Sequence, residues 1–255
     1  FVETKHRCYM FRFFSKPKEP VQFCFHTDIH CHIVPRVDDG SPDAVTSANL
    51  VERMQRWGIE RIIASPHVTL HTFENNLSTL TPALESLKDE LNRRGNGIVL
   101  SHAAENRIDE LMMNNIKNKS LITLPNDYVL IENSFIQEPM TLDSVVFELQ
   151  MMGLRPILAH PERYAYYHNR IKRYEELHNA GLMFQVNVLS LADAYGGQEP
   201  KVARELIKRG LVDFVGTDLH RLSHADAIDR YLTTKQARED MAALADVVRN
   251  DSAFI

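Results

Sequence analysis

Short apolar, β-prone runs alternate along this chain with longer segments whose apolar residues recur every three or four positions. The runs predict strands over Val21–Asp28, Arg61–Ser65, Gly97–Ala103, Tyr128–Glu132, Arg155–Ala159, Leu182–Val188 and Val212–Gly216. From Asp43 to Trp57, the residues Ala44, Val45, Ala48, Val51, Met54 and Trp57 trace one helical face, and Gly58 follows as a stop. Helices over Leu142–Met152, Ile171–Ala180 and Pro200–Arg209 run into Gly153, Gly181 and Gly210 in the same way. Each glycine stands where a left-handed helix cap is wanted, with a strand directly after it. Seven strands with helices between them predict an α/β protein with a parallel sheet. An open doubly wound sheet and a barrel both fit that order. The barrel is preferred because His30, Ser65–His67, Glu105, Glu132, His160 and Asp218 fall at or just past strand C-terminal ends. A barrel gathers those ends on one face, whereas an open sheet spreads them along a line.

Two strand ends carry paired donors. In Asp28-Ile29-His30-Cys31-His32, two imidazoles stand two residues apart, and a strand sends alternate side chains to one face. Asp218-Leu219-His220 repeats the arrangement after the apolar run Leu211–Val215. With their neighbours these give His30, His32, Asp39, His67, Glu105, Glu132, His160, Asp218 and His220, five imidazoles and four carboxylates. Nitrogen and oxygen donors of this kind suit Zn, Mn or Fe. They are too many for one ion and would fill two or three, with a carboxylate bridging. Clustered ions suit phosphoryl chemistry, because they clamp the attacking and leaving oxygens. Any one of these residues is as well explained by a helix cap or a satisfied backbone group. All of them together, at strand ends, point to metal.

Composition narrows the class. The chain has 255 residues, 44% hydrophobic and 25% charged, which is ordinary for a globular protein. A net charge of -5 argues against nucleic acid as the main partner. No apolar run is long enough to insert in a membrane, and Met10–Phe14 is too short for a signal-peptide core. Three cysteines, Cys8, Cys24 and Cys31, make no disulfide framework, and the simplest setting is a reducing cytoplasm. Phe1–Tyr9 reads as an extension ahead of a natural start at Met10, so residues 1–20 are expected to be a poorly ordered extension and 21–255 a single domain.

Other reactive side chains read as structural. A cysteine-based phosphatase needs Cys-x5-Arg. Cys31 has Val37 at that position and Arg36 one residue short, and Cys8 and Cys24 also fail. Cys31 is read as a small buried hydrophobe. By strand parity His102 faces the helices, and His26 lies deeper in the barrel as a satisfied core residue. Asp28 either orients a ligand histidine or accepts from backbone. His71, His168, His178 and His224 are expected to be exposed, and His6 lies in the extension. Tyr164, Tyr166 and Tyr167 either pack the layer between sheet and helices or line a substrate rim. Asn92-Arg93-Arg94 reads as a solvated helix end.

The motifs DIHCHIVPRVDDGS, ASPH, AHPERY and GTDLH, in this order, resemble the polymerase and histidinol phosphatase (PHP) superfamily. Within it they most resemble the metal-dependent bacterial protein-tyrosine phosphatases of capsular and exopolysaccharide loci. The resemblance covers roughly Val21 to Arg230 and implies a distorted seven-stranded (β/α)7 TIM-like barrel. It implies a first metal on His30, His32, Glu105 and Asp218, and a second on Glu105, Glu132 and His160. A third would sit on Asp39, His67 and His220, with Asp38 the weaker candidate for the place of Asp39. Arg163 would engage the phosphate, and Arg163, Asp218 and His220 would be catalytic. Where the family usually reads Pro-Gly, this chain has Pro35-Arg36. Arg36 is then either an ordinary loop residue or a substrate-binding cation. The implied activity is hydrolysis of phosphotyrosine by in-line attack of a metal-bound hydroxide, with manganese the first choice and Fe, Zn or Co as alternatives. The implied partner is the tyrosine-rich tail of a membrane tyrosine autokinase that controls polysaccharide export. A small-molecule phosphatase, such as one acting on histidinol phosphate, would share metals and nucleophile. A non-catalytic metal-binding module would be expected to lack ligands, and here every ligand position is filled.

Overall fold

The computed structural model describes residues 19–254. The expectations placed on Phe1–Tyr9, His6, Cys8 and Met10–Phe14 lie outside the described residues, as does the proposed extension apart from Glu19 and Pro20. In chain order the elements are β1 (Thr27–Asp28), α1 (Ala44–Arg56), β2 (Arg61–Ala64), β3 (His67–Val68), α2 (Leu77–Arg93), β4 (Val99–His102), β5 (Glu105–Arg107) and α3 (Glu110–Asn118). There follow β6 (Tyr128–Glu132), α4 (Leu142–Met151), β7 (Arg155–Ala159), α5 (Ile171–Asn179), β8 (Met183–Asn187), α6 (Val188–Leu191) and α7 (Glu199–Lys208). The chain ends with β9 (Phe214–Gly216), α8 (Leu222–Leu232), α9 (Lys235–Leu244) and α10 (Asn250–Ala253).

All strand pairs are parallel. They form a three-stranded sheet, β1-β2-β4, and a six-stranded sheet, β3-β5-β6-β7-β8-β9. Proline has no N–H to donate, and Pro66 interrupts one run between β2 and β3. Ala103 and Ala104 interrupt the next, between β4 and β5. Backbone bonds from Ala103 N to Ala64 O (2.7 Å) and from Glu105 N to Pro66 O (3.0 Å) carry the pairing across both breaks. At the other margin Asp218 N donates to His30 O (2.7 Å), and His32 N donates to Leu219 O (2.9 Å). The first and last segments of the curled sheet therefore meet.

Alternate strand residues divide the core in two. Ile29, Ile63, Ala103, Leu130, Ile157 and Phe214 form an inner cluster, with Phe254 beside α10 packed among them. Ile62, Val129, Leu158, Phe184 and Val215 face outward and join the helix residues in a larger layer. The helices follow their sequence signals. Asp43 caps α1 by accepting from Thr46 N at 2.7 Å, and Gly58 ends it at φ +100°. Gly153, Gly181 and Gly210 also take positive φ, as the helix-stop pattern requires.

Some expectations need correction. The strand expected over Val21–Asp28 is limited to Thr27–Asp28. Its apolar residues are buried against helices instead: Phe23 N donates to Trp57 O, and the rings of Phe23 and Phe25 stack at 4.9 Å. Burial, not sheet pairing, made that run apolar. His67 and Glu105 open short strands of their own, where strand ends were expected. His26 is exposed and pairs with Asp251 at 3.0 Å, so it is not a core residue. Arg94 is not merely solvated: it bonds Glu90 (2.7 Å), Asn49 (2.8 Å) and Glu52 (3.0 Å), tying α2 to α1.

Leu158 is fully buried between β7 and the helix layer. Leu158→Ala should lower unfolding free energy by about 2–5 kcal/mol, the cost of lost burial plus a cavity. Urea denaturation of the two proteins measures it, and an unchanged midpoint would contradict the packing described.

Candidate metal centre

The site begins with two histidines whose far nitrogens are occupied. His30 Nδ1 lies 2.5 Å from Gln185 Oε1, and His32 Nδ1 lies 2.7 Å from Asp38 Oδ2. Both partners accept hydrogen bonds, so both rings carry hydrogen on Nδ1 and turn Nε2 toward the site. Those Nε2 atoms stand 3.3 Å apart. Glu105 Oε2 lies 3.3 and 3.4 Å from them, and Asp218 Oδ1 lies 3.7 and 3.6 Å away. Two imidazole nitrogens and anionic oxygens thus face one small space, where a metal ion can take the place of the imidazole protons. Glu105 Oε2, His67 Nδ1 and His160 Nδ1 are buried without a hydrogen-bond partner. His67 Nδ1 is only 3.0 Å from Glu105 Oε2, yet the two are not aligned to bond.

Three sets of residues bring ligand atoms within 4.8 Å of one another: His30, His32 and Glu105; His67, Glu105 and Glu132; and His32, Asp39, His67 and His220. His160 Nε2 joins them at 3.0 Å from Glu105 Oε1 and 3.7 Å from Glu132 Oε1. All nine donors expected from the sequence therefore converge. Their mixture of imidazole and carboxylate fits divalent ions of the Mn, Fe and Zn type. Asp38 and Asp39 divide the work. Asp38 holds the His32 ring and accepts from His67 N (3.0 Å) and Gly40 N (3.0 Å). Asp39, with a side chain 60% exposed, faces His67 and His220 at 3.6 and 3.7 Å.

Surrounding groups select which carboxylate oxygen is free. Asp218 Oδ2 accepts from Asn187 Nδ2 (2.6 Å), Arg163 (2.8 Å) and the Tyr195 hydroxyl (3.0 Å), leaving Oδ1 toward the histidines. Arg107 takes Glu132 Oε2 at 2.9 Å and leaves Oε1 toward His160. Arg163 is sandwiched between the Phe135 and Tyr195 rings, at 4.9 and 4.3 Å. His160 (φ 35°) and Asp218 (φ 54°) hold left-handed backbone just beyond β7 and β9, a conformation costly for residues with a side chain. Gly216 sits so close to His30 that an added Cβ would meet His30 Cβ at 2.6 Å.

Burial and mutual charge set the protonation. Burial opposes charge on His30, but Glu105 and Asp218 outweigh it and push the ring up to about 9. His32 is raised as well, against burial, chiefly by Asp38. Burial and the Glu105 charge lift Glu132 to about 7. Burial, helped by Arg163, lowers His160 to about 4. Burial and His32 lower His220 to about 4.

Arg36 is the clearest departure. Its φ is +64°, its Nε donates to Pro42 O at 3.1 Å, and it is absent from the cleft wall, so it is a loop residue here. Asp28 acts as a backbone and hydroxyl acceptor, for His30 N (3.1 Å) and Thr217 Oγ1 (2.6 Å), while Gln185 orients His30. Tyr164 and Tyr167 are packed and buried. Tyr166 is half-buried and donates to Ser134 O at 2.9 Å. His71 is exposed and His102 meets Thr81 of α2, as expected. His178 is half-buried against Asp213 (3.0 Å), His168 is half-buried against Glu162 O (2.9 Å), and His224 is half-buried in the cleft wall, so none of these three is free in solvent. Gln185, Asn187, Tyr195, Phe135 and Arg107 were not singled out by sequence. The alternating polar residues Gln185 and Asn187 at the end of an apolar strand are the signal that could have found two of them.

A curled parallel sheet with clustered imidazoles and carboxylates at one end defines an α/β protein of amidohydrolase-like architecture with a candidate polynuclear metal centre. An amidohydrolase from Mycoplasma synoviae shares this fold at TM-score 0.57 and 11% identity, over 89% of this chain and 86% of that one. The chain belongs to the family described as capsular polysaccharide synthesis, CpsB/CapC, which matches residues 26–247. The tyrosine-protein phosphatase YwqE of Bacillus subtilis is 30% identical over 197 residues, 76% of this chain and 77% of that protein. The tyrosine-protein phosphatase CpsB of Streptococcus agalactiae serotype V is 30% identical over 201 residues, 76% of this chain and 83% of that protein. A solved chain from the pair YwqE of B. subtilis and CpsB of Streptococcus pneumoniae, described as unique metal-dependent tyrosine phosphatases, matches at TM-score 0.73 and 26% identity. It covers 87% of this chain and 95% of that one.

Metal binding should release protons. His30, at about 9, and His32, also raised, hold protons at pH 7 in the metal-free protein, whereas a ligand nitrogen must be bare. Affinity should therefore rise with pH up to about 9, the value to which His30 is pushed. Calorimetry in two buffers of different ionisation enthalpy should find at least about one proton released at pH 7; none released would contradict it. Separately, Arg36→Gly relieves a left-handed side-chain position and should change stability by no more than about 1 kcal/mol. Its phosphatase kcat should match that of the parent, and a large loss would place Arg36 at the site after all.

Proposed function

We propose that this chain is a metal-dependent protein-tyrosine phosphatase. The observation that carries the reading is the convergence of nine imidazole and carboxylate donors beside Arg163, in an open cleft of about 920 Å3. Family membership supports it, since the relatives named above are tyrosine-protein phosphatases. A cysteine mechanism has no support: Cys31 is buried, and burial pushes its thiol well up from the ordinary value.

In this reading His30, His32, Glu105 and Asp218 hold one ion. Glu105, Glu132 and His160 hold a second, and Asp39, His67 and His220 a third. Two or three divalent ions are proposed, manganese first, with Fe, Zn or Co as alternatives. Bound, they supply Lewis-acid charge and a water acidic enough to ionise near neutral pH. Arg163 spends one N–H on Asp218 and keeps others for phosphoryl oxygens. Phe135 and Tyr195 hold its plane, and Phe135, 40% exposed, offers an apolar face to a phenol ring. His220 keeps hydrogen on Nδ1, bonded to Asp218 O at 2.8 Å, so its Nε2 lone pair faces Asp39. A phenolate is a fair leaving group and needs little protonation.

The nine strands fit seven staves of a distorted (β/α)7 barrel if β2–β3 and β4–β5 each count once; the bridge between Cys31 and Leu219 supports closure. Residues 21–255 form one phosphatase domain in this reading. No helix among the described residues is long and apolar enough to cross a membrane. The proposed setting is the cytoplasm, and the proposed substrate is the phosphorylated tail of a membrane tyrosine autokinase in polysaccharide export.

The test compares kcat/KM for a phosphotyrosine peptide and histidinol phosphate with added Mn, Fe, Zn or Co. The peptide should win by orders of magnitude. A reversal would make this a small-molecule phosphatase. Asp218→Ala and His160→Ala should each cost at least about 100-fold, and activity that survives metal stripping would refute the mechanism.

A further inference from the structure

The cleft is much larger than a phosphorylated side chain needs, and its charge changes along its length. Asp39, Glu132 and Asp218 line it at the metal centre, which leaves Asp193 as the one other acid on its wall among the described residues. Beyond the metal residues α8 builds one side of the wall. Ser223, Ala227 and Arg230 recur there at intervals of four and three, so they share one face. The acids of the same helix point elsewhere: Asp226 and Asp229 both pair with Arg53 of α1, and Trp57 Nε1 also donates to Asp229 (2.6 Å). Two cleft arginines are already committed, Arg163 to Asp218 and Arg204 to Asp240, at 2.8 Å each. Arg221 and Arg230 are exposed on the wall and make no ion pair among the described residues.

We propose that Arg221 and Arg230 form an anion subsite for the polypeptide substrate. Each takes an anionic side chain, a carboxylate or a second phosphate, that flanks the phosphotyrosine. The proposal rests on the phosphatase reading and names what its substrate carries. Arg221 caps α8 and Arg230 lies nine positions on, about 13 Å along the axis. An extended peptide advances about 3.3 Å per residue. Two anionic side chains about four residues apart on an extended peptide would therefore meet one arginine each. Guanidinium forks match carboxylate and phosphate oxygens equally well, and the uncommitted state of both arginines leaves those forks open.

The test uses the metal-loaded full chain and one peptide sequence with a central phosphotyrosine. Positions two to four residues to either side carry amides, carboxylates or a second phosphotyrosine. Anionic flanks should improve kcat/KM about three- to tenfold, mainly through KM. The gain should shrink as salt rises from about 50 to about 500 mM. Arg221→Gln/Arg230→Gln should keep the parent rate on the amide peptide and lose the preference. A gain in both anionic arms supports a general anion subsite, and a gain in the phosphate arm alone supports a second phosphate as occupant. A preference that persists in the double variant, or is missing from the parent, overturns the subsite while leaving the phosphatase reading intact. Failure to hydrolyse any phosphotyrosine peptide overturns both.

Discussion

Buried anionic oxygens need positive charge beside them, and the active end of this protein is organised by that need. Glu105, Glu132 and Asp218 are almost wholly withdrawn from water, within reach of five imidazoles. Arg107 and Arg163 neutralise one oxygen each on Glu132 and Asp218, and the opposite oxygens are left facing the histidines. Without a cation, protons must fill the gap, which is why His30 and His32 hold theirs so strongly. Desolvation of this order is costly unless charge is matched. The site is thus assembled to be completed by something it binds.

That requirement explains why the irregular parts of the backbone cluster where they do. The ladder breaks at Ser65–Pro66 and Ala103–Ala104 precede His67 and Glu105. Left-handed residues occur at His160 and Asp218 themselves. A regular strand sends alternate residues to opposite faces, yet Ile29 lies in the inner core while its neighbour His30 faces the metal donors. The regular sheet supplies rigidity below, and the departures above it aim the donors.

Much of this was legible in the sequence. The strands at Tyr128–Glu132 and Arg155–Ala159 have the bounds their apolar runs predict, because each is buried on both faces and flanked by clear breakers. The donor set was legible because its members follow apolar, strand-like runs, even though His67 and Glu105 open short strands of their own. Parity failed at His26, since the alternation rule assumes a ladder that extends only over Thr27–Asp28 in β1. The groups that orient the ligands were not legible: Gln185 is 155 residues from His30, and Asn187 is 31 from Asp218. Nothing local marks such a pairing. For Arg36 the sequence left a loop residue and a substrate-binding cation both open, because its direction depends on the turn that returns to Ser41.

Glu105 meets more imidazoles than any other carboxylate of the site. Its Oε1 meets His160, and its Oε2 meets His30, His32 and His67. One carboxylate that serves several neighbours makes their occupancies interdependent. Whatever cation first claims its charge changes the field felt by the next. If the centre takes more than one ion, as proposed, its loading has an order, and a half-filled state differs in kind from either the empty or the complete one.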